Sequence, residues 1–196
     1  MTKIRRAFLA HGFRGSPQIP KWYPWLKKEL ESRGWEVRVP QFPTPDHPKV
    51  LEWKSTIERE LGGDFSDVVF VGHSVGGLAI LRALESRPWA KKVAGVILIG
   101  VPAKDVRRPQ IAEFFGDFDV PKIKENVNQE NLHYVYSLDD PYVPLAHGHE
   151  LLDKLGGTFH EFKKMGHFQD QEAFPEILEL ATVLGPVNTN SFRMVE

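Results

Sequence analysis

Residues 67–87 read D-V-V-F-V-G-H-S-V-G-G-L-A-I-L-R-A-L-E-S-R. Val68, Val69, Phe70 and Val71 form a short apolar run, mostly β-branched, which predicts a strand buried on both faces. Leu78, Leu81, Ala83 and Leu84 recur at helical spacing, so a helix follows. Between them, Gly72-His73-Ser74-Val75-Gly76 fits G-x-S-x-G. A nucleophile held on a sharp strand-to-helix turn needs strained backbone. Side chains two residues to either side would clash, and glycine at 72 and 76 removes them. The turn lifts the Ser74 hydroxyl above the sheet. It also aims the helix N-terminus and the Val75 N–H at the point where negative charge would develop. A pentapeptide of this kind arises by chance in loops. The buried strand before it, the helix after it and a third glycine, Gly77, supply the context that the motif requires.

Working outward, the order is strand, helix, strand, helix, strand, helix. Residues 4–10 predict a first strand with Ala7 to Ala10 inside. Residues 20–34 predict a helix from Trp22, Leu26 and Leu30, with Pro20 early and Gly34 at the exit. Residues 35–39 are a strand, and residues 40–48, with four prolines, are a loop. Val50, Trp53, Ile57 and Leu61 mark the next helical face, ending at Gly62-Gly63. After the elbow come strands at 93–101, 132–138 and 158–162. A helix at 145–155 is closed by Gly156-Gly157, and a last helix carries Phe174, Ile177, Leu178 and Ala181. This alternation calls for a parallel sheet with helices on both faces. Residues 102–129 form either a pocket wall or small lid, or a surface excursion with one short helix. Phe13, Phe114, Phe115 and Phe118 are candidates for a shallow apolar wall. The polar tail from Pro186 is expected to be loosely held.

The bulk numbers fit one domain, residues 1–196, with a proper core: 41% apolar and 26% charged residues. A net charge of -1 gives no reason to expect nucleic acid or an anionic membrane as partner. The absence of cysteine removes disulfides, thiolate metal sites and a cysteine nucleophile. The apolar run at Ala7 to Ala10 is too short for a signal-peptide core, and no stretch is long enough to span a bilayer. The expectation is a cytoplasmic chain acting on a small molecule, with no membrane partner.

Acyl transfer by serine needs a base to take the hydroxyl proton and an acid to orient that base. Both occur downstream of Ser74, each just past a strand end. His167 sits in Met165-Gly166-His167-Phe168. The other histidines fit the role less well. His73 lies within the elbow and His11 in the glycine-rich loop H-G-F-R-G-S-P. His147 and His149, at i, i+2 on a helix, do not share a face. His47, His133 and His160 lack a glycine-rich loop. No metal site and no cofactor are expected. The acid is Asp139 or Asp140. The spacing Asp-x-x-Val-Pro to Val143-Pro144 favours Asp140, which leaves Asp139 to stabilise the turn through its own backbone. The loop His11-Gly12-Phe13 follows the first strand, where open α/β sheets put their sites, and the Phe13 N–H is the candidate second oxyanion donor. The chain order Ser, Asp, His is the one used on α/β-hydrolase sheets.

The set H-G-F-R-G-S-P, G-H-S-V-G-G, S-L-D-D-P-Y-V-P and M-G-H-F-Q resembles the small lidless α/β-hydrolases grouped around retinoblastoma-binding protein nine and the bacterial YdeN proteins. The resemblance spans nearly the whole chain. It implies an α/β-hydrolase fold: a three-layer sandwich with a mostly parallel sheet of about six strands, without the usual first two strands and without a large cap. It also implies a triad of Ser74, Asp140 and His167. It implies no particular substrate. The pocket-protein contact of the human member uses an L-x-C-x-E motif, which a chain without cysteine cannot carry. Two readings follow. One is a serine hydrolase cleaving small esters, with small amides or peptides within its chemistry; the other is a protein-interaction module on a hydrolase fold. A nucleotide-binding reading would need a G-x-G-x-x-G or Walker loop after the first strand, and H-G-F-R-G-S-P is neither.

Overall fold

Val68–His73 forms β3, with all six residues buried. It pairs in parallel with β1 (Arg6–Ala10) on one side and β4 (Gly95–Ile99) on the other. A strand flanked on both edges and covered on both faces has no exposed side, which explains its continuous apolar run. The computed structural model describes residues 4–86 and 91–185. The tail from Pro186, expected to be loosely held, lies outside the described residues.

The remaining strands are β2 (Glu36–Arg38), β5 (Leu132–Ser137) and β6 (Thr158–Phe162). The sheet runs β2-β1-β3-β4-β5-β6, and every neighbouring pair is parallel. The helices are α1 (Trp22–Glu31), α2 (Val50–Glu60), α3 (Val75–Leu84), α4 (Val120–Asn126), α5 (Leu145–Leu155) and α6 (Pro175–Leu184). Side chains alternate across the sheet with the period of two that a strand imposes. Phe8, Phe70, Val96, Leu98 and Tyr134 enter the core built with α2, α3, α4 and α5. Ala7, Leu9, Val69, Val71, Ile97 and Val135 enter the core built with α1 and α6. Each fully buried Val, Leu, Ile or Phe contributes about 1.5–3 kcal/mol, so both layers are anchored by many independent contacts.

The sequence places the six strands and α1, α2, α3, α5 and α6 within a few residues of their observed ends, but sets no bounds for α4 or the 3₁₀ turns. The first strand starts at Arg6 rather than residue 4, and Ile4 is exposed. The segment 102–129 holds a 3₁₀ turn (Pro109–Phe114) and the seven-residue α4, without a cap domain. From β1 the chain crosses to β2 on one side, and β3 returns to the other side. The sheet therefore changes direction between β1 and β3. Open α/β sheets hold their ligands beyond the carboxyl ends of the strands at such a switch point. The loop after β1 and the turn after β3 both emerge there.

Candidate active site

Ser74 is the hinge between β3 and α3, at φ 53° and ψ -125°. A non-glycine residue there stores roughly 1–3 kcal/mol of strain and persists only where its surroundings fix it. The Ser74 N–H donates to the Ile99 carbonyl at 2.9 Å, and the Ser74 carbonyl accepts from Gly77 N–H at 3.0 Å. A Cβ at Gly72 would lie 2.5 Å from the Gly77 Cα, and one at Gly76 would lie 2.1 Å from the Ala10 carbonyl oxygen. Glycine at 76 thus lets the start of α3 rest on the carboxyl end of β1. The post-β1 loop passes so near the turn that a Cβ at Gly12 would sit 2.9 Å from the Ser74 Cβ.

His11 shapes that loop from below. It is fully buried, and its Nε2 accepts the Phe42 N–H at 3.1 Å. Its Nδ1 therefore carries the proton and donates to the Gly12 carbonyl at 3.0 Å. Burial holds the His11 pKa below its ordinary value. Above this support, Phe13 and Val75 line the same cavity as Ser74, and their amides are the candidate oxyanion donors. Neither donates to a protein acceptor among the described residues.

The Asp140 side chain is fully buried, and its two oxygens are divided between two tasks. Oδ1 accepts the N–H groups of Tyr142 and Val143 at 2.8 and 3.0 Å. This is the physical content of the Asp-x-x-Val-Pro spacing. Oδ2 lies 2.7 Å from His167 Nδ1. An ionised carboxylate only accepts, so Nδ1 carries the ring proton and Nε2 keeps its lone pair. The Ser74 hydroxyl does not reach Nε2 within hydrogen-bonding distance in this structure. Such contacts are commonly long until substrate draws them together.

The sequence reading assigns Asp139 only the task of stabilising its own turn, and the structure gives it a wider one. Its Oδ1 accepts the Ser137 hydroxyl at 2.6 Å and the N–H groups of Met165 and Gly166 at 3.1 and 2.9 Å. These bonds hold its carboxyl pKa below the ordinary value, the Ser137 hydroxyl foremost. It is the brace for the loop carrying His167. The same loop is held by Trp22, whose indole N–H donates to the Phe168 carbonyl at 2.8 Å. It is also held by His73, whose Nε2 lies 2.7 Å from the His167 carbonyl oxygen. The sequence carries no signal for this role of Asp139, whose amide partners lie 26 and 27 residues further on. Nothing in the sequence pointed to Trp22.

Phe13, Ser74, Val75 and His167 line a cavity of about 360 Å³, with Asp140 behind His167. The expected phenylalanine wall is corrected, because Phe13 alone of the four lines the cavity. Phe114 is fully buried, edge-on to Trp53 at 5.6 Å. Phe115 packs against the core, and Phe118 lies under the Arg82 guanidinium at 4.3 Å. Val106 and Ile111 supply the wall instead, so 102–129 is a pocket wall. Arg82 fixes it by donating to the carbonyls of Phe114, Gly116 and Asp117 at 3.0 to 3.2 Å while pairing with Glu85.

The remaining histidines lie elsewhere. His133 Nδ1 and His160 Nε2 pair at 2.9 Å across β5 and β6. The buried His147 takes the Ala103 N–H on Nδ1 at 3.1 Å. His149 lies tilted against Phe159 with ring centroids 4.4 Å apart, and His47 lies beside Asp46 on the surface. Among the described residues, no three His, Asp or Glu side chains converge as a metal site would require. No helix among them is long and apolar enough to cross a membrane.

A six-stranded parallel sheet between helical layers, with a strained serine where β3 turns into α3, defines an α/β-hydrolase. The serine hydrolase family matches the chain over residues 7–185, and the chain belongs to it. YdeN of Bacillus subtilis (strain 168) is 31% identical over 179 residues, covering 90% of this chain and 92% of YdeN. Serine hydrolase RBBP9 of Rattus norvegicus is 28% identical over 168 residues, covering 84% and 87%. The crystal structure of the B. subtilis ydeN gene product matches with a TM-score of 0.85 at 29% identity, over 92% of this chain and 98% of that one.

Proposed function

We propose that this chain hydrolyses carboxylic esters of small soluble substrates through an acyl-enzyme on Ser74. The observation that carries the reading is the 2.7 Å contact between Asp140 Oδ2 and His167 Nδ1, behind a cavity that Ser74 and His167 both line. In this reading, His167 Nε2 takes the Ser74 hydroxyl proton as Oγ attacks the ester carbonyl. The carbonyl oxygen becomes an oxyanion, received by the Phe13 and Val75 N–H groups. Such preorganised donors typically account for about 10²–10³ in rate each. The imidazolium, steadied by Asp140, then returns the proton to the leaving alcohol. Water attacks the acyl-enzyme by the same proton route in reverse and frees the acid. Small amides fall within the same chemistry, and the cytoplasm is the expected place of action.

A fluorophosphonate probe tests the reading, since it reacts only with an activated serine. Covalent labelling of Ser74, lost in Ser74→Ala, together with turnover of a short p-nitrophenyl ester, is the expected result. A folded protein that neither labels nor turns over would instead be a protein-interaction module on a hydrolase fold.

A further inference from the structure

Two arginines stand at the cavity that holds Ser74 and His167. Arg14 follows Phe13 on the post-β1 loop, and Arg108 comes from the segment 102–129. No Asp, Glu or Lys joins them in the lining. A general cationic excess does not account for this, because the chain has 25 Lys and Arg against 26 Asp and Glu. Elsewhere Arg6 pairs with Asp64, Arg33 with Glu29, Arg38 with Glu36, Arg59 with Glu60 and Arg82 with Glu85, while Arg5 and Arg107, outside the lining, show no ion pair among the described residues. Arg14 and Arg108 make no ion pair among the described residues.

Each is nonetheless held in place. The Arg14 guanidinium lies over the Phe13 ring at 5.1 Å, and that of Arg108 over the Tyr142 ring at 5.8 Å. Stacking of this kind orients a guanidinium while leaving its N–H fork free. Both backbones are also fixed. Arg14 sits at φ 56° with its N–H on the Pro45 carbonyl at 2.7 Å. The Arg108 segment is turned by Asp105, whose Oδ1 accepts the N–H groups of Arg107 and Arg108 at 2.8 and 3.4 Å. The buried carboxylate nearest the site, Asp140, is already engaged by His167 and two amides.

We propose that this pair is a specificity site for a carboxylate on the substrate, so that the preferred ester carries a negative charge near its scissile carbonyl. The proposal rests on the ester-hydrolysing reading and names the substrate class for the same cavity. Guanidinium forks match a carboxylate bidentately. The carboxylate could lie on the acyl side or on the alcohol side of the ester, and the probes below separate the two.

The test is binding to Ser74→Ala protein, measured by calorimetry at low salt. Monomethyl succinate is compared with dimethyl succinate, and acetoxyacetate with its methyl ester. In at least one pair the anionic member is expected to bind about tenfold or more tightly than the neutral one, equivalent to about 1.4 kcal/mol. That ratio should fall towards one when Arg14→Gln and Arg108→Gln are added together. It should also weaken with added salt, as for exposed charges. Equal affinities in both pairs, a ratio that survives the double substitution, or no binding of any probe at millimolar concentration would overturn the proposal. Wild-type protein that hydrolyses none of the four esters would refute the ester-hydrolysing reading, and the binding ratio would still decide this one.

Discussion

The His73 ring donates its Nε2 proton to the main-chain carbonyl of His167 across 2.7 Å, with ring centroids 4.7 Å apart. A carbonyl only accepts, so this bond fixes the His73 tautomer. Burial first, and the neighbouring His167 second, hold the His73 pKa well below its ordinary value. The ring therefore stays neutral and acts on the His167 loop through the backbone. His73→Ala should displace the His167 loop and lower kcat by about 10–100-fold, the scale of a misplacement near 1 Å, with KM little changed. Labelling by fluorophosphonate should slow but persist. Unaltered kcat in His73→Ala would show that the loop is fixed without this bond.

Ser74→Ala should leave the fold intact and lower turnover by roughly 10³-fold or more. The strained backbone at φ 53° gives a second readout. Ser74→Gly loses the proposed nucleophile too, but it removes a Cβ from a conformation that costs roughly 1–3 kcal/mol, against about 0.5–1 kcal/mol for the extra freedom of unfolded glycine. Ser74→Gly should therefore unfold at higher denaturant than Ser74→Ala. The reverse order would mean that the elbow is not strained.

The two aspartates should separate cleanly. Asp140→Asn replaces the oxygen that holds His167 Nδ1–H, and the wrong tautomer should slow turnover by roughly 10³–10⁴-fold. Asp139→Asn keeps an oxygen able to accept from Gly166 N–H, so its effect should be far smaller. Asp139→Ala removes the brace altogether and should fall between the two. Side-by-side kcat/KM values check the order, and a larger loss in Asp139→Asn than in Asp140→Asn would reverse the assignment.

Acid should weaken the fold through its buried histidines. His11, His73, His133, His147 and His160 all have pKa values held below the ordinary 6.5 in the folded chain, His133 at about 4. Below pH 6.5 the unfolded chain binds protons that the folded chain refuses, so stability falls as pH falls through that window. Above 6.5 these groups are neutral in both states and contribute no slope. Asp139, lowered from 3.8, acts only at still lower pH. Urea midpoints should therefore be lower at pH 5 than at pH 7.5. His133→Gln should narrow the gap by removing one partner of the 2.9 Å pair with His160. An unchanged gap would show that this pair already accepts its proton above pH 5.

What the sequence disclosed follows from how local each cause is. The elbow is legible because strand, turn and helix are adjacent, and steric demands at Gly72 and Gly76 act over a few residues. Asp140 is legible because its Oδ1 bonds to amides two and three residues on. The brace from Asp139 to Gly166 spans 27 residues, and that from Trp22 to Phe168 spans 146. Such contacts exist only once the sheet has brought their loops together. Phe114, Phe115 and Phe118 misled for the same reason: hydrophobicity predicts burial, but not whether the buried face meets the core or the cavity.

The last expectation concerns substrate length. A cavity of about 360 Å³ sits at the small end of ligand pockets, which span about 300–1,000 Å³. Its apolar wall comes from Phe13, Ile19, Val106, Ile111 and Val143, with Phe114 closed into the core behind. Each methylene of an acyl chain that stays in water forfeits about 0.8 kcal/mol of possible binding. kcat/KM should thus rise over the shortest p-nitrophenyl esters and then level or fall, well before sixteen carbons. A cover that opened at a lipid–water interface would add a jump in rate at the micelle threshold. Arg82 argues against such a cover, because it ties the Phe114, Gly116 and Asp117 carbonyls to α3 through one guanidinium. The rate should therefore pass through the micelle threshold without a step. An optimum at the longest chains, or a step that Arg82→Ala enlarges, would mean that the wall at 102–129 moves and uncovers a deeper channel.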